Sequence, residues 1–364
     1  MSRYVILAAG GTGGHLFPAE ALAREFLKRG RPVALITDRR GGNFPVSGVE
    51  TFRIPAGQFG AGLLAKLRGV YDLARGFMAA SRLLRRLNPG AVVGFGGYPS
   101  MPTMLAAQQL GMATIIHEQN AVLGRANAML APRVDRIATH FATAEGLAGR
   151  LRDKISPTGN PVRPAISVLR ETPYVPPNAE GAFRILVIGG SQGARILSAV
   201  VPDALLSLSP ALLARIELSQ QARPEDLDAV AARYASAGLK AEVKRFFDDM
   251  PQRLGGAHLV IGRAGGSTTA ELTVAGRPAI LVPYAAAIAD EQTANARNLV
   301  AGGAAWLLTE AEFTAPALAA LVERLASSPE LLAVAAAAAL SMGEPDAAMR
   351  LADLVERVER ERAA

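Results

Sequence analysis

The 364-residue sequence contains no cysteine. Disulfide bonds, thiolate catalysis and zinc–thiolate sites are therefore excluded, and the composition is compatible with a reducing cytosol without requiring one. Aromatic residues make up only 5% of the chain, with a single Trp, so the stacking clusters of nucleic-acid binders are missing as well. No run of about 18 apolar residues occurs, and we therefore expect no helix that crosses a bilayer.

The composition that remains is that of a globular protein, with 50% hydrophobic and 20% charged residues. The length predicts two domains, each large enough to form its own core. Net charge is uneven, because residues 1–160 hold 20 Lys and Arg against 9 Asp and Glu, whereas residues 161–364 hold 19 against 23. The basic first half favours a polyanionic partner, and charge alone does not choose among nucleic acid, anionic lipid and a phosphorylated substrate.

Short apolar runs alternate with longer segments of helical periodicity, a pattern typical of parallel sheets covered by helices on both faces. The sequence thus predicts an α/β protein with two doubly wound domains rather than one long sheet. The predicted strands are Val5–Ala9, Val33–Thr37, Ala91–Gly94, Ala113–His117, Arg136–Thr139, Arg184–Ile188, Ile216–Ser219, Ala241–Arg245, Leu259–Ile261, Ala279–Val282 and Ala305–Leu307.

Six prolines fall between Pro157 and Glu180, and this density favours an extended linker. We therefore predict one domain over residues 1–160 and a second over residues 161–340. The last segment, 341–364, ends in a charged amphipathic helix that packs back on a domain.

Glycine-rich turns follow three of the predicted strands and lead into helices, at Gly10–His15, Gly189–Arg195 and Gly262–Glu271. Without Cβ atoms the backbone can approach a phosphate closely, and the helix N-terminus then stabilises its negative charge. None of the three is a clean dinucleotide fingerprint or a Walker loop. A tight turn without a ligand remains the alternative for each one alone, and their repetition favours phosphate binding.

Polar residues follow two further strands, in Gly94–Ser100 and in His117–Asn120. Four consecutive polar side chains after a buried strand are costly unless they are solvated or bound to a ligand. His15 and His117 are candidates for a general base, because imidazole titrates near neutral pH. No pair of histidines has metal-ligand spacing, so neither a metal nor a cofactor is predicted.

Together these motifs resemble the MurG family of UDP-N-acetylglucosamine transferases, which complete lipid II in peptidoglycan synthesis. The resemblance covers nearly the whole chain and keeps one fixed order. Its motifs are Gly10–His15 with Pro18 and Ala19, Gly96–Ser100, His117–Asn120, Gly159–Arg163, Gly189–Ala194, Arg263–Glu271, Asp290–Gln292 and Asn295–Ala296.

The resemblance implies a GT-B fold, in which two Rossmann-like domains with parallel sheets face each other across a cleft. It implies that the first domain binds the lipid acceptor, that the second binds UDP-N-acetylglucosamine, and that the final helix returns to the first. It also implies an inverting transfer with His15 as the catalytic base or a positioning group. The positions expected to bind the sugar nucleotide are Thr12, Gly13, Gly14, Asn120, Arg163, Ser191, Phe247, Glu271 and Gln292.

The acceptor of that family is lipid I, undecaprenyl-pyrophosphoryl-MurNAc-pentapeptide, so we expect an anionic membrane surface as a partner. The segment Phe59–Leu87 mixes apolar and basic residues and suits such a surface at the cytoplasmic face of the inner membrane. An ordinary core-facing helix is the alternative. Other proteins of cell-wall synthesis and division are further expected partners, and nucleic acid is not.

Three other functions are compatible with parts of the sequence. A UDP-N-acetylglucosamine epimerase has the same fold but needs no lipid contact. A dehydrogenase would require a clean glycine fingerprint and an acidic residue about 20 positions further on. A basic nucleic-acid-binding protein would fit the pI of about 10.0, yet no nucleic-acid motif is present.

Overall fold

The computed structural model describes residues 3–10, 13–38, 44–57, 62–142, 145–147, 149–178, 180–190, 193–285 and 290–364, without the side chains of residues 63–66. The chain divides into two compact units. The first comprises Met1–Arg163 and Glu344–Ala364, and the second comprises Pro164–Gly343.

The first unit is built on a sheet whose strands are all parallel and lie in the order β3-β2-β1-β4-β5-β6-β7. Its strands are β1 (Val5–Ala8), β2 (Val33–Thr37), β3 (Glu50–Arg53), β4 (Ala91–Gly94), β5 (Ala113–Glu118), β6 (Arg136–Thr139) and β7 (Ile155–Pro157). Its helices before the second unit are α1 (Gly13–Lys28), α2 (Leu63–Leu87), α3 (Met101–Gln109) and α4 (Arg125–Leu130).

The second unit repeats the plan with a parallel sheet in the order β10-β9-β8-β11-β12-β13. Its strands are β8 (Phe183–Ile188), β9 (Ile216–Gln221), β10 (Lys240–Lys244), β11 (Leu259–Gly262), β12 (Ala279–Leu281) and β13 (Ala305–Leu307). Its helices are α5 (Pro164–Ser167), α6 (Arg195–Leu206), α7 (Pro210–Leu213), α8 (Leu227–Ser236), α9 (Met250–Gly256), α10 (Gly266–Ala275), α11 (Glu291–Ala301), α12 (Ala315–Ser327) and α13 (Pro329–Met342).

Strand β1 shows why its sequence is apolar without a break. Val5 and Leu7 belong to one core of the first unit, and Ile6 and Ala8 belong to the core on the opposite face of the sheet. All four side chains are fully buried. A strand covered by helices on both faces has no solvent-facing side, so the alternation seen in half-exposed strands is lost.

Every strand that the sequence predicts is present, and the doubly wound α/β organisation is confirmed. Two strands escaped prediction, β3 and β7, which pair at opposite edges of the first sheet. β3 carries Glu50 and Arg53 and is half exposed, and β7 ends in Pro157. Edge strands are short and polar because only one side of each is paired, and this weakens the apolar signal.

The proline-rich segment 157–180 is not the extended linker that its composition predicts. Residues 164–167 form α5, and a further helical turn covers Val168–Glu171. Ile166 is fully buried. Pro164 opens the helix, where proline is well tolerated, and the burial of Ile166 stabilises the turn.

The last helix, α14 (Ala347–Ala363), packs in the first unit. Leu351 and Val355 are fully buried in the core that also contains the inner face of α1. Arg29 donates to Asp353 at 2.7 Å at the edge of this contact. The first unit is thus completed by a segment that follows the whole second unit in the chain.

Residues 329–363 form the one stretch of the described chain that passes a length and hydropathy test for a membrane span, with a mean hydropathy of 1.2. The structure divides this stretch into α13, with 14 residues, and α14, with 17 residues. A bilayer crossing needs about 20 residues in one helix. Ala335, Ala336 and Ala339 of α13 are buried within the second unit, so the apolar composition serves a protein core.

We predict that Leu351→Ala lowers the free energy of unfolding by about 2–5 kcal/mol, because it leaves a cavity where α14 meets the sheet. Urea denaturation followed by circular dichroism measures the change. Arg357→Ala is the matched control on the exposed face of the same helix and should cost no more than about 0.5 kcal/mol. Equal losses in the two variants would show that α14 does not stabilise the unit.

Candidate active site

Strand order in the first unit reverses between β1 and β4. The chain runs outward from β1 to β3 and then returns to β4 on the other side of β1. Ligands of open α/β sheets bind outside the carboxyl ends of the strands at this point. The N–H of Phe95 donates to the carbonyl of Ala8 at 2.9 Å, which joins the loop after β4 to the end of β1.

His15 lies in the first turn of α1, half-buried against the loop that follows β4. A Cβ atom on Gly97 would lie 3.3 Å from Nε2 of His15, and one on Gly96 would lie 3.4 Å from its Cε1. Both glycines have positive φ, 86° at Gly96 and 72° at Gly97. Glycine is therefore required here for the backbone conformation and for the close approach of the imidazole ring.

The polar run His117–Asn120 is not a solvated loop. His117, Glu118 and Gln119 are only 0%, 2% and 3% exposed. Glu118 Oε1 accepts from the backbone N–H and side-chain amide of Asn120, at 3.1 and 3.2 Å. Its Oε2 accepts from the N–H of Gly124 and the side chain of Asn127, at 2.9 and 2.8 Å. Both carboxylate oxygens are thus used to fix the loop after β5.

His117 cannot act as the general base, because both of its ring nitrogens make hydrogen bonds inside the protein. Its Nε2 lies 3.0 Å from the carbonyl oxygen of Gly159, and its Nδ1 lies 3.0 Å from Nε2 of Gln119. Burial lowers the pKa of His117 to about 4. The ring is therefore neutral at pH 7 and has no access to a substrate. Of the two histidines that the sequence offers as bases, His15 alone is partly exposed.

A further histidine, His140, directly follows β6, and no sequence motif marks it. Its ring centroid is 4.2 Å from that of Phe141. Within the described part of the chain, neither of its buried ring nitrogens has a hydrogen-bond partner. Burial lowers its pKa to about 3, so this ring is also neutral at pH 7.

In the second unit the strand order reverses between β8 and β11. Helix α6 begins after β8, and α10 begins after β11, so two helix N-termini meet the same crevice. The strands are neighbours in register, with Ile188 opposite Gly262. A Cβ atom on Gly262 would lie 2.8 Å from the carbonyl oxygen of Ile188, so glycine permits the strand ends to approach closely.

Three of the predicted site residues lie beyond the carboxyl ends of this second sheet. Glu271 is half-buried in α10, and Phe247 is buried between β10 and α9. The guanidinium of Arg253 lies 4.1 Å from the centroid of the Phe247 ring. Gln292, in the first turn of α11, accepts from the backbone N–H of Tyr284 at 3.1 Å and thereby holds the loop after β12.

The sequence motifs include Arg263 but gave it no role, and the structure supplies one. Its Nη1 donates to the carbonyls of Val282 and Pro283, each at 3.0 Å. Its Nη2 lies 2.6 Å from Glu310 Oε1. The buried guanidinium therefore ties the end of β11 to the loop after β12. The available signal was a charge placed directly after a buried strand, where an unpaired charge would be costly.

The other predicted positions belong to the first unit or lie outside the description. Gly13 and Gly14 open α1, Asn120 follows β5, and the guanidinium of Arg163 lies 4.6 Å from the Phe17 ring centroid. Thr12 and Ser191 lie outside the described residues. Across the described ranges, no group of three or more His, Asp or Glu side chains is placed to hold a metal ion.

Comparison with known families gives two matches. The glycosyltransferase family 28 N-terminal domain matches residues 5–139, and the C-terminal domain of that family matches residues 184–351. A relative from Rhodospirillum centenum is 53% identical over 353 residues, 96% of this chain and 93% of its own length. That protein is named UDP-N-acetylglucosamine--N-acetylmuramyl-(pentapeptide) pyrophosphoryl-undecaprenol N-acetylglucosamine transferase.

Solved structures agree with these matches. The crystal structure of Acinetobacter baumannii MurG superposes with a TM-score of 0.78 at 30% identity, covering 98% of this chain and 99% of that one. A UDP-N-acetylglucosamine 2-epimerase reaches a TM-score of 0.66 at 14% identity, over 96% of this chain and 95% of its own. The latter likeness shows a shared fold alone.

Three histidines with lowered pKa values, His117, His140 and His258, predict how stability depends on pH. Their pKa values in the folded state, about 4 for His117 and His258 and about 3 for His140, lie below the value of about 6.5 in an unfolded chain. The unfolded state therefore binds more protons below that pH, and the free energy of unfolding should fall as pH drops from about 6.5 towards 4. Each histidine contributes up to about 1.4 kcal/mol per pH unit.

Urea denaturation between about pH 7 and about pH 5 tests this prediction. His140→Leu is the informative variant, because it removes a titrating ring whose nitrogens have no hydrogen-bond partner among the described residues. It should flatten the pH dependence. A free energy of unfolding that stays constant over this window would show that these rings take up protons as readily in the folded state as in the unfolded chain.

Proposed function

The chain belongs to glycosyltransferase family 28, and on that premise we propose that it transfers N-acetylglucosamine from UDP-N-acetylglucosamine to N-acetylmuramyl-(pentapeptide) pyrophosphoryl-undecaprenol. It is a hexosyltransferase, and this step converts lipid I into lipid II in peptidoglycan synthesis. The observation that carries the assignment is 53% identity with a transferase of that name over 96% of the chain. The same family and the MurG crystal structure confirm the GT-B fold class.

The second unit is proposed to bind the donor. The N-termini of α6 and α10 meet at the point where its strand order reverses, and backbone N–H groups at helix starts favour a diphosphate. As the sugar is transferred, negative charge develops on the departing UDP. Hydrogen-bond donors that are already in place stabilise this charge without reorganisation. The Ser191 hydroxyl is predicted to be a further hydrogen-bond donor.

Three side chains of the second unit are proposed to complete donor recognition. Glu271, half-buried in α10, accepts both hydroxyls of the ribose. The backbone at Phe247 contacts the uracil, with its buried ring as the support. Gln292 binds the sugar hydroxyls from the start of α11, where its carbonyl oxygen already fixes Tyr284.

The first unit is proposed to bind the acceptor and to supply the base. The C4 hydroxyl of N-acetylmuramic acid attacks the anomeric carbon, a C–O bond to UDP breaks, and the configuration inverts. His15 takes the hydroxyl proton, and it is suited to this because it is partly exposed at the reversal of strand order. Thr12, Gly13, Gly14, Asn120 and Arg163 remain predicted contacts of the sugar nucleotide.

An epimerase remains the nearest alternative on the same fold. Its likeness to this chain rests on 14% sequence identity and therefore concerns architecture. Relatives that are 50–53% identical over at least 96% of this chain all carry the transferase name. No described feature favours epimerisation over transfer.

We further propose that the first unit binds an anionic membrane surface through α2. Leu67, Val70, Tyr71 and Met78 follow helical spacing on one side of the helix, and each is 48–61% exposed. The exposed arginines Arg68, Arg75, Arg82 and Arg86 border this stripe. An apolar stripe edged by arginines is the arrangement of helices that lie in a membrane interface.

Part of the predicted membrane segment faces the protein core instead of the membrane. Leu84 is fully buried, and Phe77 and Leu83 pack against the core, so these residues hold α2 to the sheet. Phe59 and the side chains of Leu63, Leu64 and Lys66 lie outside the description. Helix α2 belongs to the first unit, which holds 25 Lys and Arg against 15 Asp and Glu. This net positive charge adds long-range attraction to anionic lipid.

Transfer is tested with labelled UDP-N-acetylglucosamine and a lipid I analogue. We expect lipid II formation that persists in EDTA, because helix N-termini rather than a cation stabilise the leaving group. His15→Ala should lower kcat by about 10²–10⁴-fold, the usual contribution of a positioned base. Arg357→Ala, on the exposed face of α14, should retain normal turnover. An unchanged kcat and pH profile in His15→Ala would remove His15 from the reaction.

Membrane binding is tested by flotation with vesicles that contain anionic lipid. The double variant Arg75→Glu/Arg82→Glu should lose at least about tenfold in vesicle binding, since each basic residue near the surface contributes about 1 kcal/mol. Arg357→Glu is the control for a charge reversal elsewhere on the first unit and should float like the unmodified protein. Equal flotation of both variants would show that α2 does not face the membrane.

A further inference from the structure

Three backbone carbonyl groups surround the polar run at the end of β5, and a carbonyl oxygen can only accept a hydrogen bond. They are the carbonyls of Phe95, His117 and Gly159. Gln119 Nε2 lies 3.1 Å from the first and 3.0 Å from the second, and His117 Nε2 lies 3.0 Å from the third. These fixed acceptors decide where the protons of the neighbouring side chains reside.

The proton of His117 is determined first. Because Nε2 faces the carbonyl of Gly159, this nitrogen must carry the hydrogen. The neutral ring has only one N–H, so Nδ1 is left as an acceptor, and it lies 3.0 Å from Nε2 of Gln119.

The orientation of Gln119 follows. Its Nε2 faces two carbonyl oxygens and the acceptor Nδ1 of His117, so the amide nitrogen must be on this side. A flipped amide would place Oε1 against three acceptors. The side chain is 3% exposed, so water cannot compensate for such a flip.

His15 is the last member of the series. With the amide nitrogen of Gln119 turned inward, Oε1 points to Nδ1 of His15 at 3.2 Å. An amide oxygen only accepts, so Nδ1 of His15 must be the protonated nitrogen. Its Nε2, which lies against Gly97, then holds the lone pair.

We propose that Gln119 and His117 are positioning residues that hold the His15 imidazole in its Nδ1–H form, so that Nε2 is ready to accept the acceptor's hydroxyl proton. This inference rests on the proposed role of His15 as the base. The hydrogen bond made by one ring nitrogen sets the protonation of the other, and a base in the wrong tautomer cannot take the proton.

The far end of the series is held by packing of the first unit. Gly159 has a φ of 79°, and a Cβ atom there would lie 2.7 Å from Cβ of Glu344 and 3.0 Å from that of Ala347. Glycine thus lets the segment that begins α14 lie directly against the Cα of the residue whose carbonyl fixes His117. The hydrogen-bond series that ends at His15 therefore starts at a backbone carbonyl, whose position does not depend on side-chain rotation.

Nitrogen NMR of the full-length protein labelled with ¹⁵N-histidine tests the inference without any substrate. At about pH 7.5, His15 should show a protonated Nδ1 and a lone-pair Nε2, the reverse of the form that free imidazole side chains prefer. His117 should show the opposite pattern. A His15 ring that is mainly Nε2–H would overturn the proposal.

Gln119→Leu removes the oxygen that accepts from His15. In this variant the His15 signals should change to the Nε2–H form, and kcat should fall by at least about tenfold with little change in KM for UDP-N-acetylglucosamine. Gln109→Leu makes the same substitution at an exposed position of α3 and should alter neither. If Gln119→Leu does not fold, the spectrum of the unmodified protein decides the question alone.

The two hypotheses fail in different measurements. Loss of transfer in Gln119→Leu with His15 signals unchanged would contradict the positioning role. The expected His15 tautomer together with normal turnover of His15→Ala would leave the hydrogen-bond series intact and remove only the proposed base. The spectrum therefore tests the geometry, and the assay of His15→Ala tests the chemistry.

Discussion

The structure of each unit depends on one constraint, the parallel direction of its strands. Because all strands run the same way, every carboxyl end reaches one edge of the sheet, and every following helix presents its N-terminus there. Where the strand order reverses, the helices that follow β1 and β4 leave to opposite faces of the first sheet. Those that follow β8 and β11 do the same in the second. A crevice lined by backbone N–H groups therefore results from topology, before any side chain is chosen.

Much of this plan could be predicted from the sequence, because two-sided burial leaves continuous apolar runs such as Val5–Ala9 and Leu259–Ile261. The failures have physical reasons. Glu50 and Arg53 lie on an edge strand that is half exposed and has one paired side, so no apolar run marks it. Residues 164–167 lie among prolines, which hide the helix from local pattern, and the burial of Ile166 that stabilises it depends on the rest of the fold.

The candidate site shows a different limit. The polar run His117–Asn120 is costly to bury, and the sequence alone predicts that either solvent or a ligand satisfies it. The structure gives a third, since Glu118 accepts from the N–H of Gly124 and the side chain of Asn127, and Gln119 donates to the carbonyl of Phe95. Asn127 belongs to no motif, and its contribution depends on the angle at which α4 leaves the loop. Such long-range pairing cannot be deduced from local pattern alone, and it is the information that separates His15 from His117 as a base.

Burial and catalysis are therefore linked in the first unit by the same hydrogen bonds. A buried histidine costs free energy unless its nitrogens are used, and His117 meets this cost by donating to Gly159 and accepting from Gln119. That solution fixes the amide of Gln119, and the fixed amide in turn leaves one oxygen for His15. His140, whose nitrogens have no partner among the described residues, shows that burial alone creates no such directionality. The difference lies in backbone carbonyls, whose oxygens can only accept hydrogen bonds. They therefore fix which atom donates and which accepts in His117, then in Gln119, and then in His15.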